Sequence, residues 1–306
     1  MTDVVAFGEC MVEVGLTGPS QAALGYAGDT FTASVYLRRQ GLSAAYASAV
    51  GDSDPFSTGI MQLMTNEGID PSLMRRAPGR LPGLYAFDRD DAGERRFFYW
   101  RAEAPARDYF AMTDLAAVQA AVGVAKLIYF SGVTLAIIGE QGRETLGRLL
   151  AQAKAAGVAV AYDPNHRPQL WASRELAQAA TEAVMPFCRY VSVEDSDLQG
   201  LYGEAGQAKP AEWAAQGPEV ILRSANHDVT VRSGGAVLRM QHEPLVRALD
   251  TTGAGDAFNA GYLAARLKGQ DVRPAVVAAR RLTNIVVQHI GAIIPRAAMP
   301  VVIAAP

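Results

Sequence analysis

Residues 250–258 read D-T-T-G-A-G-D-A-F, which joins a glycine turn to an acid. Gly253 and Gly255, on either side of Ala254, let successive backbone N–H groups curl into a concavity that suits phosphate oxygens, and a helix beginning there adds the positive end of its dipole. Asp256 then falls in the first turn of that helix, beside the place a transferring phosphoryl group would occupy. There its carboxylate could take a proton from an attacking hydroxyl. The chemistry this predicts is phosphoryl transfer, with Gly253, Ala254 and Gly255 as an anion hole and Asp256 as the base. The same residues also suit an ordinary helix start, with Thr251 or Thr252 as N-cap and Asp256 favouring the dipole. Two familiar nucleotide loops are excluded. The chain holds no G-x-x-x-x-G-K-[ST], and Phe258 stands where a dinucleotide fingerprint needs its third glycine.

Three other segments carry polar groups suited to a ligand. Residues 163–171 read D-P-N-H-R-P-Q-L-W after an apolar run. In an open α/β sheet ligands bind beyond the carboxyl ends of strands, and in extended chain Asp163, Asn165 and Arg167 point to one side. A proline-punctuated turn whose Asp and Asn bond their own backbone is the plainer alternative. In F-F-Y-W-R, residues 97–101, strand alternation sets Phe97, Tyr99 and Arg101 on one face. A tyrosine hydroxyl with an arginine able to grip a carboxylate bidentately would suit a hydroxylated anion such as a sugar acid. Tyr26-Ala27-Gly28-Asp29 precedes a helix expected from about Thr30. Gly28 would admit close backbone approach, and Asp29 would accept from substrate hydroxyls while capping the helix. The four histidines show no ligand spacing, so no metal held by protein alone is expected.

These segments need a scaffold, and the rest of the chain describes one. Short apolar runs at 4–7, 44–50, 126–131, 158–162, 190–193 and 220–223 read as buried strands. Segments 31–40, 56–67, 140–156, 174–185, 255–268 and 273–288 carry apolar residues at helical spacing. That alternation predicts an α/β sheet wrapped by crossover helices. Residues 81–88 and 95–101, flanking the polar turn D-R-D-D-A-G-E, read as a β-hairpin outside the alternation. With 11–14 and 22–26 it would form a small separate sheet, a lid built from about 10–28 and 80–102 on a single domain spanning 1–306. A plain antiparallel edge of the main sheet is the other reading.

With 306 residues, half of them apolar, the chain can fill one large core, and a net charge of −3 argues against nucleic acid as the main partner. Cys10 and Cys188 fit no metal spacing and read as thiols in a reducing compartment. No basic leader precedes the first strand, and no run reaches the roughly 20 apolar residues of a membrane span. A cytoplasmic protein with no membrane partner is expected. Two copies could pair through the edge of the lid sheet.

In order and content, these segments resemble the ribokinase-like (PfkB-type) carbohydrate kinases over essentially the whole chain. Within that family the chain is most similar to the branch acting on 2-keto-3-deoxygluconate, through F-Y-W-R, A-P-A-R (104–107), D-P-N-H-R-P-Q-L-W and G-A-I-I-P-R (291–296). The resemblance implies a three-layer α/β/α core with a small β-sheet lid. It also implies Mg2+·ATP-dependent phosphorylation of the terminal hydroxyl of 2-dehydro-3-deoxy-D-gluconate. Gly28, Tyr85, Tyr99, Arg101 and Arg167 would hold the sugar acid, Asn165 would lie near the nucleotide phosphates, and metal would arrive chiefly with ATP.

The chain departs from the family pattern at Ala27 and Thr32, where a glycine and an asparagine are usual. It departs again at R-S-A-N-H-D (223–228), where a lysine-led, glycine-containing turn is usual; Arg223 would still reach phosphate. The family's acidic element is blurred among Ser192, Glu194, Asp195 and Asp197. A kinase for a neutral sugar, or a sugar sensor on the same fold, remain alternatives.

Overall fold

The computed structural model describes residues 2–18, 20–89, 95–242 and 246–299. Along the chain, β1 (Val4–Phe7) leads to an antiparallel pair, β2 (Met11–Gly18) and β3 (Gln21–Ala27). Then come α1 (Asp29–Arg39), β4 (Ala44–Ala47), β5 (Ala49–Gly51), α2 (Pro55–Glu67), β6 (Arg75–Ala77) and the hairpin strands β7 (Leu84–Arg89) and β8 (Arg95–Trp100). They are followed by α3 (Leu115–Val124), β9 (Leu127–Ser131), α4 (Gly132–Ile137), α5 (Gly139–Ala155), β10 (Ala159–Asp163), α6 (Arg174–Val184), β11 (Tyr190–Glu194), α7 (Asp195–Tyr202), α8 (Lys209–Ala215) and β12 (Glu219–Arg223). The chain closes with the hairpin β13 (Val229–Ser233) and β14 (Ala236–Met240), then α9 (Ala254–Leu267) and α10 (Val272–Val286).

The main sheet runs in the order β14-β13-β12-β11-β10-β9-β1-β4, parallel from β12 to β4, with β13 and β14 antiparallel at one edge. Strand alternation divides its side chains between two cores. Val4 and Ala6 pack with Phe31 and Tyr36 of α1, Tyr262 of α9 and Leu282 of α10, whereas Val5 and Phe7 pack with Val118 of α3, Leu149 of α5 and Trp213 of α8. This is the expected three-layer α/β/α arrangement. Between β9 and β1 the order of connections reverses, which opens a crevice at the carboxyl ends of the strands.

A second sheet stands apart, in the order β3-β2-β7-β8. Met11, Ala27, Tyr85 and Phe87 pack beneath it with Ala292. The tip of the β7–β8 turn, residues 90–94, lies outside the described residues. The expected strand at 44–50 is broken at buried Ser48. Beyond it β5 leaves the main sheet to pair with β6. Helix α1 begins at Asp29 with Gly28 as N-cap, so Asp29 lies inside the first turn and does not cap it. Among the described residues no helix is long and apolar enough to cross a membrane.

Candidate active site

Because β1, β10, β11 and β12 are parallel, their carboxyl ends meet at one place, and Glu9, Asp163, Glu194 and Arg223 are delivered to a common cleft of about 1270 Å³. The glycine turn and the underside of the second sheet close its two sides. All the residues expected at the site line it: Gly28, Asp29, Tyr85, Tyr99, Arg101, Asn165, Arg167, Arg223, Gly253, Ala254, Gly255 and Asp256. Their individual settings differ from the sequence reading in several respects.

The glycine turn forms because Gly253 takes a left-handed backbone (φ +74°) as the N-cap of α9; neither Thr251 nor Thr252 caps the helix. Asp250 pins the turn from both sides. Its Oδ1 accepts from the Thr252 amide at 2.8 Å and its Oδ2 from the Gly291 amide at 2.7 Å. The Ala254 amide donates to the Thr251 carbonyl at 3.1 Å, which weakens its place in the expected anion hole. The amides of Gly253, Gly255 and Asp256 have no acceptor among the described residues, as the open first turn of a helix requires.

Asp256 is the third residue of α9. Its carboxyl has no hydrogen-bond partner among the described residues. Burial, reinforced by the nearby Asp29 and Asp163 carboxylates, holds it well above the usual carboxylate range, and Arg223 and Arg167 act in the opposite direction. A carboxyl so placed is a stronger base than an exposed one.

On the side of the second sheet, Asp29 Oδ1 accepts from the Thr30 amide and Oδ2 from Asn165 Nδ2, both at 2.7 Å. Asn165, expected near the nucleotide phosphates, lines the cleft and joins Asp29 to the end of β10, with its backbone left-handed at φ +33°. A side chain on Gly28 would meet the Glu9 carbonyl oxygen at 1.9 Å, so this glycine first serves the approach of the chain to itself. Tyr85 donates its hydroxyl to the Glu13 carboxylate. Arg101 is ion-paired with Glu9, both buried, so it does not present the free fork expected from strand alternation. Tyr99 and Arg167 are exposed along the cleft wall, with one Arg167 nitrogen on the His166 carbonyl at 3.0 Å. Thr32, one of the departures from the family pattern, is buried, and its Oγ1 has no partner among the described residues.

On the opposite side Asp163, at the end of β10, accepts from Asn259 Nδ2 (2.6 Å), the Asn165 amide (3.0 Å) and Arg223 Nη2 (3.4 Å). Burial pushes its carboxyl up to about 7; Arg223 opposes the shift, and Asp197 and Glu194 add to it. Arg223 lies over the Phe258 ring and pairs with Glu194 Oε1 at 3.1 Å. A side chain on Gly255 would meet its Nη1 at 2.7 Å, so the guanidinium rests against the glycine turn.

The unusual turn after β12 is closed by His227, left-handed at φ +66°, a conformation that favours glycine, with its amide on the Ser224 carbonyl at 2.7 Å. The blurred acidic element also resolves. Asp197 accepts the backbone amides of His166 and Glu194, and Asp195 holds the Ala225 amide at 3.1 Å. Glu194, with a side chain 47% exposed at the cleft, is open to a ligand. This hard-oxygen carboxylate next to a phosphate-shaped turn fits a magnesium ion carried by a nucleotide.

The sequence reading did not single out Glu9 or Asn259 as parts of the site. For Glu9 a signal existed: an acid inside the apolar run V-V-A-F-G-E-C-M-V, directly after a buried strand. Asn259 sits on the buried face of α9 and had none.

The chain matches the model of the pfkB family carbohydrate kinases over residues 1–299. It is 35% identical to the 2-dehydro-3-deoxygluconokinase of Escherichia coli K12, the match covering 97% of this chain and 98% of that protein. Its fold superposes with a TM-score of 0.82 on the PfkB protein from Polaromonas sp. JS666, at 25% identity over 97% of this chain and 98% of that one. A ribokinase II from E. coli solved in complex with ATP and Mg2+ gives 0.81 at 19% identity, over 95% of this chain and 94% of that one.

Proposed function

The chain belongs to the pfkB family of carbohydrate kinases, and from this premise we infer that it phosphorylates 2-dehydro-3-deoxy-D-gluconate at its terminal hydroxyl with ATP as donor. The observation that carries the mechanistic reading is the pairing, within one helix turn, of a carboxyl at Asp256 and backbone amides at Gly253, Gly255 and Asp256 that have no hydrogen-bond partner among the described residues. The terminal hydroxyl gives its proton to Asp256 as its oxygen attacks the γ-phosphorus; the bond to the β-phosphate oxygen breaks and ADP leaves. The free amides and the helix dipole stabilise negative charge on the transferring group. Arg223, against the turn, would stabilise the same charge. Magnesium brought by ATP would be met by Glu194 and would neutralise charge on the phosphate oxygens.

At the other end of the cleft, Arg167 and Arg101 would face the carboxylate, and Asp29 and Tyr99 the hydroxyls. The second sheet would act as the lid that keeps water out. A neutral sugar leaves this arginine pair without an anion. The test is a coupled assay for ADP release with ATP and a panel of aldonic acids, keto-deoxy acids and neutral sugars. Turnover confined to neutral sugars would refute the sugar-acid reading, and no turnover on any member would refute the kinase.

A further inference from the structure

The segment between β1 and β2 carries a buried acid that phosphoryl transfer does not use. Glu9 has a side chain 2% exposed, and its Oε2 accepts from Arg101 Nη2. Arg101 directly follows β8, so the pair ties the root of the second sheet's first strand to the end of its last, across 92 residues of sequence. A brace built for stability alone would satisfy both partners. Here Glu9 Oε1 and Arg101 Nε are each buried with no hydrogen-bond partner among the described residues, an arrangement more typical of a site than of a structural pair. With Nη2 on Glu9 and Nε buried, Nη1 is the nitrogen that Arg101 has left for the cleft it lines.

We propose that Glu9 is a positioning residue for recognition of the substrate carboxylate: it fixes the Arg101 guanidinium so that Nη1 faces the sugar acid. The inference rests on the sugar-acid reading. An unheld arginine would have to give up its rotamer freedom on each binding event, and buried without Glu9 it would be an uncompensated charge in the empty site. Glu9 removes both costs before the ligand arrives, which is preorganisation.

The experiment measures acid preference, the ratio of kcat/KM for the sugar acid to that for its uncharged alcohol analogue, in wild type, Glu9→Ala, Arg101→Met and the double variant. Glu9→Ala is expected to lower the preference about tenfold, mainly through KM for the acid, with KM for ATP within about threefold. In the Arg101→Met background the same change should have less than a twofold effect, because Glu9 acts only through Arg101. If Glu9→Ala does not fold, Glu9→Gln keeps the shape without the charge and supports the same cycle, since any change it makes in acid preference must also vanish without Arg101. Equal effects in both backgrounds, or none in either, would overturn the assignment. Wild-type protein that phosphorylates no sugar acid would sink the functional reading and this assignment together. Wild-type turnover with an unchanged preference in the Glu9 variants would sink this assignment alone.

Discussion

In an Asp256→Asn variant the side chain keeps its shape at the third residue of α9 but can no longer accept the hydroxyl proton. General-base contributions run from about 100- to 10,000-fold, or about 3 to 5 kcal/mol of transition-state stabilisation. The surroundings of Asp256 indicate that the change is otherwise mild. Its carboxyl has no hydrogen-bond partner among the described residues, so none is lost. The Asp256 amide, part of the proposed anion-binding turn, is backbone and remains. Burial and two neighbouring carboxylates disfavour the ionised side chain, so a neutral amide there should cost the folded state little. We therefore expect kcat to fall at least 100-fold, with KM for ATP and for the sugar acid within about threefold. The thermal midpoint should be unchanged or raised. The assay is coupled ADP release at saturating substrates, with differential scanning calorimetry on the same preparations. More than about a tenth of wild-type kcat, or a loss carried by KM, would remove Asp256 from the role of base.

Arg167→Met should raise KM for the sugar acid at least tenfold while changing KM for its uncharged alcohol analogue much less, since a charge-assisted bond is worth about 1.5–3 kcal/mol; equal losses on the two ligands would count against carboxylate recognition. The Asp163 carboxyl is raised to about 7 in the folded protein, so the folded state binds the extra proton between the unfolded value and that one, and stability falls as pH rises through this window. The thermal midpoint of Asp163→Asn minus that of wild type should accordingly become more positive from about pH 4 to pH 7; a flat difference would show that the group does not titrate there. If the second sheet is a lid, saturating sugar acid should slow amide hydrogen exchange across β7 and β8, and Tyr99→Ala should be far more damaging than shortening the turn at residues 90–94. Unchanged exchange would make the sheet a fixed wall.

The sequence by itself determined the layered α/β core, the separate β-rich segment and the set of polar residues that line the cleft, because each depends on local regularities. Period-two and period-3.6 apolar patterns mark strands and helices wherever burial is one-sided, and a glycine turn followed by an acid constrains its own backbone. The same locality explains what escaped. Helix α3, L-A-A-V-Q-A-A-V-G-V, is apolar nearly throughout and offers little contrast between faces, and β14 is an exposed edge. What only the tertiary structure decided is which polar groups are already engaged before a ligand arrives. Asp29 meets Asn165 across 136 residues, Arg101 meets Glu9 across 92, and Tyr36 holds the Ala292 carbonyl across 256. Alternation along β8 could put Arg101 on the cleft face, but not reveal that a buried acid from the segment before β2 had taken one of its nitrogens. A side chain's face follows from its own strand, whereas its charge partner follows from how distant segments pack, and that packing is set by the whole core at once.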